Sequence, residues 1–97
     1  MQKSNKENIS RLYRAITLLE NEEECRSFFE DVCTVQELEA IAQRLEVACH
    51  IFDGKSYNEV NRLTGASTTT ICRVGKCVKY GDGGYKKVID RLGDKDA

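Results

Sequence analysis

At four points just ahead of an apolar helical stripe, a side chain that can cap a helix stands three places before a glutamate. The pairs are Ser4 with Glu7, Asn21 with Glu24, Thr34 with Glu37, and Ser56 with Glu59. At such a start the first side chain accepts a backbone N–H, and the glutamate can reach back to the other end of the turn. The chain contains no proline, so nothing that removes a helical N–H interrupts what these signals begin. Repeated capped starts without a breaker constrain the chain to an all-α fold, and no period-two strand pattern competes.

The apolar spacing between the caps predicts six helices. The first carries Ile9, Leu12, Tyr13, Ile16 and Leu19, with Leu18 about 160° away as a second face that a partner could cover. The second carries Cys25, Phe28, Phe29 and Val32. Its first turn holds Glu22, Glu23 and Glu24, which match the positive end of the helix dipole better than they suggest a metal site. The third is the cleanest: Leu38, Ile41, Ala42, Leu45, Cys49 and Phe52 fall within about ±60° of one direction. It should stop at Gly54, a good left-handed terminator. A short fourth helix bears Val60 and Leu63 and is broken by Thr64-Gly65. Ser67 caps a fifth, bearing Ile71, Val74 and Val78. After the turn Tyr80-Gly81-Asp82-Gly83-Gly84, a last helix bears Tyr85, Val88, Ile89 and Leu92. The polar tail from Gly93 to Ala97 should fray.

The expected organisation is a single domain over residues 1–97. Residues 1–33 would be dimerising N-terminal helices, 34–54 a long core helix, 56–80 a helix-turn-helix, and 83–92 a C-terminal helix. A chain this short buries only some ~60–70% of its unfolded surface, so a second copy would add useful burial.

Several classes fall away. Hydrophobic residues make up 40% of the chain, too many for a disordered tail. No stretch approaches the roughly 20 apolar residues of a transmembrane helix, so no membrane partner is expected. The start MQKSNKENIS has no apolar h-region. Five irregularly spaced cysteines, with no CxxC, fit reduced thiols in a cytoplasmic protein. Cys72 and Cys77 would lie about 140° apart on one helix, a poor pair of metal ligands. No metal site is expected. The single histidine, His50, has no recognisable acid–base or nucleophile constellation around it, so the chain reads as a non-enzyme with no catalytic residues.

Residues 56–80 have the form of a helix-turn-helix, with Gly65 where the backbone needs positive φ. Such turns usually carry a small residue four places before the glycine; here it is Asn61. With Ile71, Val74 and Val78 turned inward, the outward face of the second helix holds Thr69, Cys72, Arg73 and Lys76, with Thr68 and Lys79 at its margins. Small hydroxyl side chains at the helix start, Ser67 to Thr70, and basic ones beyond suit base edges and phosphates in a major groove. The formal net charge of −1 conceals an asymmetry. Residues 1–54 carry 6 basic and 11 acidic side chains, a net of −5, and residues 55–97 carry 9 basic and 5 acidic, a net of +4. The candidate DNA contacts are therefore Ser67, Thr68, Thr69, Thr70, Cys72, Arg73, Lys76 and Lys79, on double-stranded DNA. Lys86, Lys87 and Arg91 could add phosphate contacts.

With these residues in view, the sequence resembles the Trp repressor family, in its less characterised branch of Trp-repressor-like bacterial proteins. The resemblance covers residues 34–92. It rests on Thr34, the stretch Glu39-Ala40-Ile41 leading to Arg44, the turn Leu63-Thr64-Gly65-Ala66, and Thr70-Ile71-Cys72-Arg73. It implies a six-helix all-α fold, an intertwined homodimer, and repression by binding a near-palindromic operator with half-sites about one DNA turn apart. It also implies a small amino-acid-like corepressor between the long helix and the second helix of the turn motif. Arg44 and Arg73 would flank that ligand, and Thr34 would line its pocket. Two positions depart from the tryptophan-binding members. Val74 stands where they have glycine, and Cys77 stands where a serine helps hold the ligand's amino group. These departures argue against tryptophan itself. No other cofactor is expected. A helical protein–protein adaptor that kept the fold without DNA binding, using residues 20–54 as its face, is the alternative.

Overall fold

A computed structural model describes residues 4–96, with side-chain positions through Gly93. Among the described residues there are six helices and no strand: α1 (Asn5–Thr17), α2 (Glu22–Val32), α3 (Val35–Phe52), α4 (Tyr57–Thr64), α5 (Thr68–Tyr80) and α6 (Gly84–Asp96). The all-α expectation and the helix order hold.

The caps set the starts. Ser4 accepts from the Glu7 N–H, Asn21 from Glu24, Ser56 from Glu59 and Ser67 from Thr70. Before α3 the box closes in both directions: Glu37 N–H donates to Thr34 Oγ1 at 3.1 Å, and Thr34 N–H donates to Glu37 Oε1 at 2.8 Å. Gly54, at φ 84°, ends α3 in the left-handed conformation. Two boundaries differ from the sequence reading. α1 closes on Leu18 as its C-cap, so Leu19 lies beyond the helix and Leu18 is a terminal residue rather than part of a second helical face. α6 continues through Gly93 to Asp96, because its i→i−4 ladder extends past the last apolar residue. Ala97, at the end of the expected frayed tail, and Met1–Lys3, at the start of the expected N-terminal region, lie outside the described residues.

The chain divides into two compact units, Met1–Leu38 and Glu39–Ala97. In the first, α1 and α2 contain no buried residue. Phe28 and Phe29 pack edge to face, with ring centroids 5.5 Å apart. In the second lies a core of Val47 and Ala48 from α3, Val60 from α4, Ala66 from the turn, and Ile71 and Val74 from α5. Ile51, Val78, Tyr85 and Ile89 pack against it.

The buried side of α3 is not the stripe picked out by spacing. Val47, Ala48 and Ile51 face the core, roughly 100° round the helix from the direction of Leu38, Ile41, Leu45 and Phe52. Ile41 remains 46% exposed. The helix is apolar on two sides, and periodicity alone does not say which one the chain itself covers.

Gly75, inside α5, permits a close approach. A Cβ there would overlap the Tyr57 hydroxyl and lie 3.0 Å from its Cζ. The absent side chain lets the ring at the start of α4 lie against the α5 backbone.

Candidate nucleic-acid interface and adjoining cavity

The turn between α4 and α5 is built by local hydrogen bonds. Gly65 adopts φ 71°, ψ 5°, the left-handed conformation expected of it. Its N–H donates to Asn61 O at 2.9 Å. Asn61 is the residue that departs from the usual small side chain, and its role is visible: its Nδ2 donates to Ala66 O at 2.7 Å. Thr64 Oγ1 donates to Val60 O at 2.7 Å and accepts from the Ala66 N–H at 3.1 Å. Gln43 of α3 donates to Thr64 O at 3.4 Å. These bonds pair several polar groups of the bend that would otherwise lose water, and they tie α5 to α4.

Ile71 and Val74 are buried on the inner side of α5, and Val78 is half-buried. The outer side is open. Ser67, Thr68, Thr69, Cys72, Arg73, Lys76 and Lys79 are exposed, while Thr70 is half-buried. Thr68, Thr69, Cys72, Arg73 and Lys76 together line one shallow depression of about 430 Å³. No carboxylate borders it. Ser67 Oγ lies 3.1 Å from Thr70 Oγ1 and caps the helix, so this pair is committed to the helix start.

Behind this face, a cavity of about 220 Å³ is lined by Arg44, Thr69, Thr70, Arg73, Val74, Cys77 and Tyr85. Arg44, Arg73 and Cys77, three of the four residues named for an effector, thus border one space. Thr34 belongs to the first unit, where its hydroxyl caps α3. The sequence reading missed Tyr85, which it placed only in an apolar stripe; the one available signal was that a tyrosine has a polar end as well as a packing face. Thr69 and Thr70 were read only as DNA-facing residues. Among the described residues, neither Arg44 nor Arg73 has a carboxylate within 4.0 Å; the ion pairs there are Arg26 with Glu23 and Glu30, Lys55 with Asp53, and Lys86 with Asp90. A second, more open groove of about 690 Å³ runs past Ile41, Leu45, Tyr85 and Val88.

Other candidate chemistry is weak. Among the described residues, no cluster of His, Cys, Asp and Glu could hold a metal ion. Burial pushes the Cys49 thiol up, with the charges of Asp53 and Glu46 adding to the effect, which disfavours the reactive thiolate. His50 Nδ1 lies 2.9 Å from Lys55 Nζ and accepts from it, a tie across the end of α3. Among the described residues, no helix is long and apolar enough to cross a membrane.

The glycine-turned pair α4 and α5, with an acid-free basic outer face on α5, defines a helix-turn-helix protein. The chain belongs to the Trp repressor family: the family of the Trp repressor protein matches residues 7–93. It is 43% identical over 84 residues to the uncharacterised protein YerC of Bacillus subtilis (strain 168), a match covering 87% of this chain and 81% of that one. Two crystal structures share the fold. A TrpR-like protein from Eubacterium eligens ATCC 27750 is 41% identical, with a TM-score of 0.84, covering 93% of this chain and 96% of that one. A Trp repressor candidate from Staphylococcus aureus is 42% identical, with a TM-score of 0.83, covering 89% and 86%.

Proposed function

We propose that the chain is a sequence-specific DNA-binding transcriptional regulator, a repressor that binds a near-palindromic operator as a homodimer. The observation that carries this reading is the outer face of α5. Directly after a turn tied by the Asn61, Thr64 and Gly65 hydrogen bonds, it presents Thr68, Thr69, Cys72, Arg73 and Lys76 with no acid among them. Thr69 and Cys72 are short enough to let the helix approach base edges, and Arg73, Lys76 and Lys79 supply donors for bases and phosphates. Ser67 and Thr70 hold the start of the helix toward the backbone. The family membership supports the same reading.

Dimerisation is supported by the first unit, whose helices bury no side chain of their own. Ile9, Leu12 and Tyr13 are 49%, 40% and 64% exposed, a stripe that gains by being covered. The groove past Ile41, Leu45 and Val88 is a second uncovered apolar surface. A single domain over 1–97, completed by a second copy with residues 1–33 as its dimerising part, accounts for both. Arg44, Arg73, Cys77 and, from the resemblance, Thr34 are assigned to a small effector.

Selection of duplexes from a random pool at moderate salt tests the regulator. The expected result is a preferred near-palindrome, with Lys76→Glu weakening all sequences and lowering the salt slope by about 1 or more, and Thr69→Ala changing the preferred bases. A pool that yields no preferred sequence overturns the proposal.

A further inference from the structure

The pair α4 and α5 is fixed at two ends. At the turn, the Gly65, Asn61 and Thr64 hydrogen bonds join the helices. At the open end, the Tyr57 ring lies against the backbone of Gly75. Tyr57 opens α4 and Thr64 closes it, and Gly75 stands equally far into α5 from Thr68. At 1.5 Å per residue, both lie about 10 Å from the turn. A movement of about 2 Å at that radius turns one helix against the other by roughly 10°, comparable to the tolerance of a recognition geometry. Gly75 is buried, and inside a helix glycine is a poorer choice than alanine. A Cβ there would overlap the Tyr57 hydroxyl and lie 3.0 Å from its Cζ, so the ring gives glycine its reason at this position. At 100° per residue, Gly75 lies between the inward direction of Ile71 and Val78 and the exposed direction of Cys72 and Lys79. The ring therefore abuts the flank of α5 beside its basic outer face, about 160° round the helix from Arg73 and the cavity it lines. Tyr57 is 38% exposed, so a methyl group at position 75 displaces the ring into solvent rather than breaking the helix.

We propose that Tyr57 and Gly75 are a positioning pair: the ring, seated on bare backbone, sets the angle between α4 and α5 and with it the pose in which α5 meets base edges. The role rests on the DNA-binding reading, and neither residue is assigned a contact with a base. Phosphate contacts from Arg73, Lys76 and Lys79 depend mainly on charge and survive a small rotation, whereas directional hydrogen bonds to base edges do not. Disturbing the pair therefore costs discrimination between sequences more than it costs binding to DNA in general. The two residues are coupled, because a methyl group at 75 does harm only while a ring stands at 57.

The test uses the full chain with Gly75→Ala, Tyr57→Ala, Tyr57→Phe, and Tyr57→Ala combined with Gly75→Ala. Fluorescence anisotropy compares a duplex selected by the unaltered protein with a scrambled duplex of the same length. Gly75→Ala is expected to lower affinity for the selected duplex roughly 5-fold or more, the loss of one base contact, and to leave the scrambled duplex within about twofold. Tyr57→Ala is expected to do the same. Tyr57→Phe keeps the ring and is expected to keep the discrimination. In thermal melts, Gly75→Ala is expected to raise the midpoint by roughly 2–8 °C in the Tyr57→Ala background and to give a smaller or opposite shift when Tyr57 is present. Equal shifts in the two backgrounds overturn the pair. Gly75→Ala that weakens both duplexes equally overturns the positioning role. Tyr57→Phe that loses as much as Tyr57→Ala assigns the loss to the hydroxyl and overturns it as well. If the unaltered protein selects no duplex, the regulator reading falls and takes the positioning role with it. If it selects one and every variant discriminates equally well, the pair alone falls.

Discussion

The two units of the chain solve the folding problem differently. Residues 39–97 contain every buried apolar side chain identified among the described residues: Val47, Ala48, Val60, Ala66, Ile71 and Val74. The described residues of the first unit include helices α1 and α2 with good caps and clear apolar stripes, yet neither helix has a buried residue. Helices of 13 and 11 residues are marginal in water without packing, since most helical stability comes from burial of one face. Capping a helix and supporting it are therefore separate requirements. The C-terminal unit meets both within one chain. The N-terminal unit meets the first and not the second within its own helices, which gives the proposed dimer its physical reason.

The contrast can be broken most directly at the core. Ile71→Ala removes a side chain that is 1% exposed and should cost about 3 kcal/mol in urea denaturation; a loss near zero would mean that this core does not hold the unit. Leu12→Ala probes the other side. Leu12 is 40% exposed in the single chain, so without a partner its loss should cost below about 1 kcal/mol. With a partner covering it, the expected loss is about 2 kcal/mol, seen as a thermal midpoint that depends more steeply on protein concentration. Asn61→Ala removes the bond to Ala66 O and should cost about 1 kcal/mol. Because that bond holds the turn, DNA affinity should fall with it, as read by anisotropy. The smallest effect is chemical. The Cys49 thiol, raised by burial and by Asp53 and Glu46, should alkylate more slowly than exposed Cys72 and Cys77. A raised thiol pKa favours the protonated fold, so the stability linked to it is present at neutral pH and below. It is lost as pH rises through the folded-state value in the alkaline range. Equal alkylation rates for Cys49 and Cys72 at neutral pH would contradict the burial of Cys49.

Much of the fold was legible because its signals are local. A cap joins residues three apart, so Ser4, Asn21, Thr34, Ser56 and Ser67 marked their helices without reference to the rest of the chain. Gly65 was legible for the same reason: the break after Leu63 required a reversal that glycine makes at least cost. The outer face of α5 followed from angular spacing once Ile71 and Val74 were turned inward. The working side of α3 was not legible. Two apolar directions compete there, and the choice depends on α4 and α5, which are distant in sequence. Asn61 looked like a flaw in the motif because its partner is a backbone carbonyl five residues on, across the bend. Tyr85 joined the cavity only because α6 returns against α5.

The amino-acid order alone determined that the chain is helical, where the first five helices begin, where it reverses, and which face of α5 is basic. All of these depend on interactions within a few residues, or on the fixed 100° turn per residue. Tertiary structure decided which side of α3 is buried, that Arg44 and Arg73 share a cavity, and that Arg73 also borders the open depression on the outer face of α5. Those outcomes depend on how separate helices pack. An apolar or charged face records only that something should meet it, and packing chooses what does.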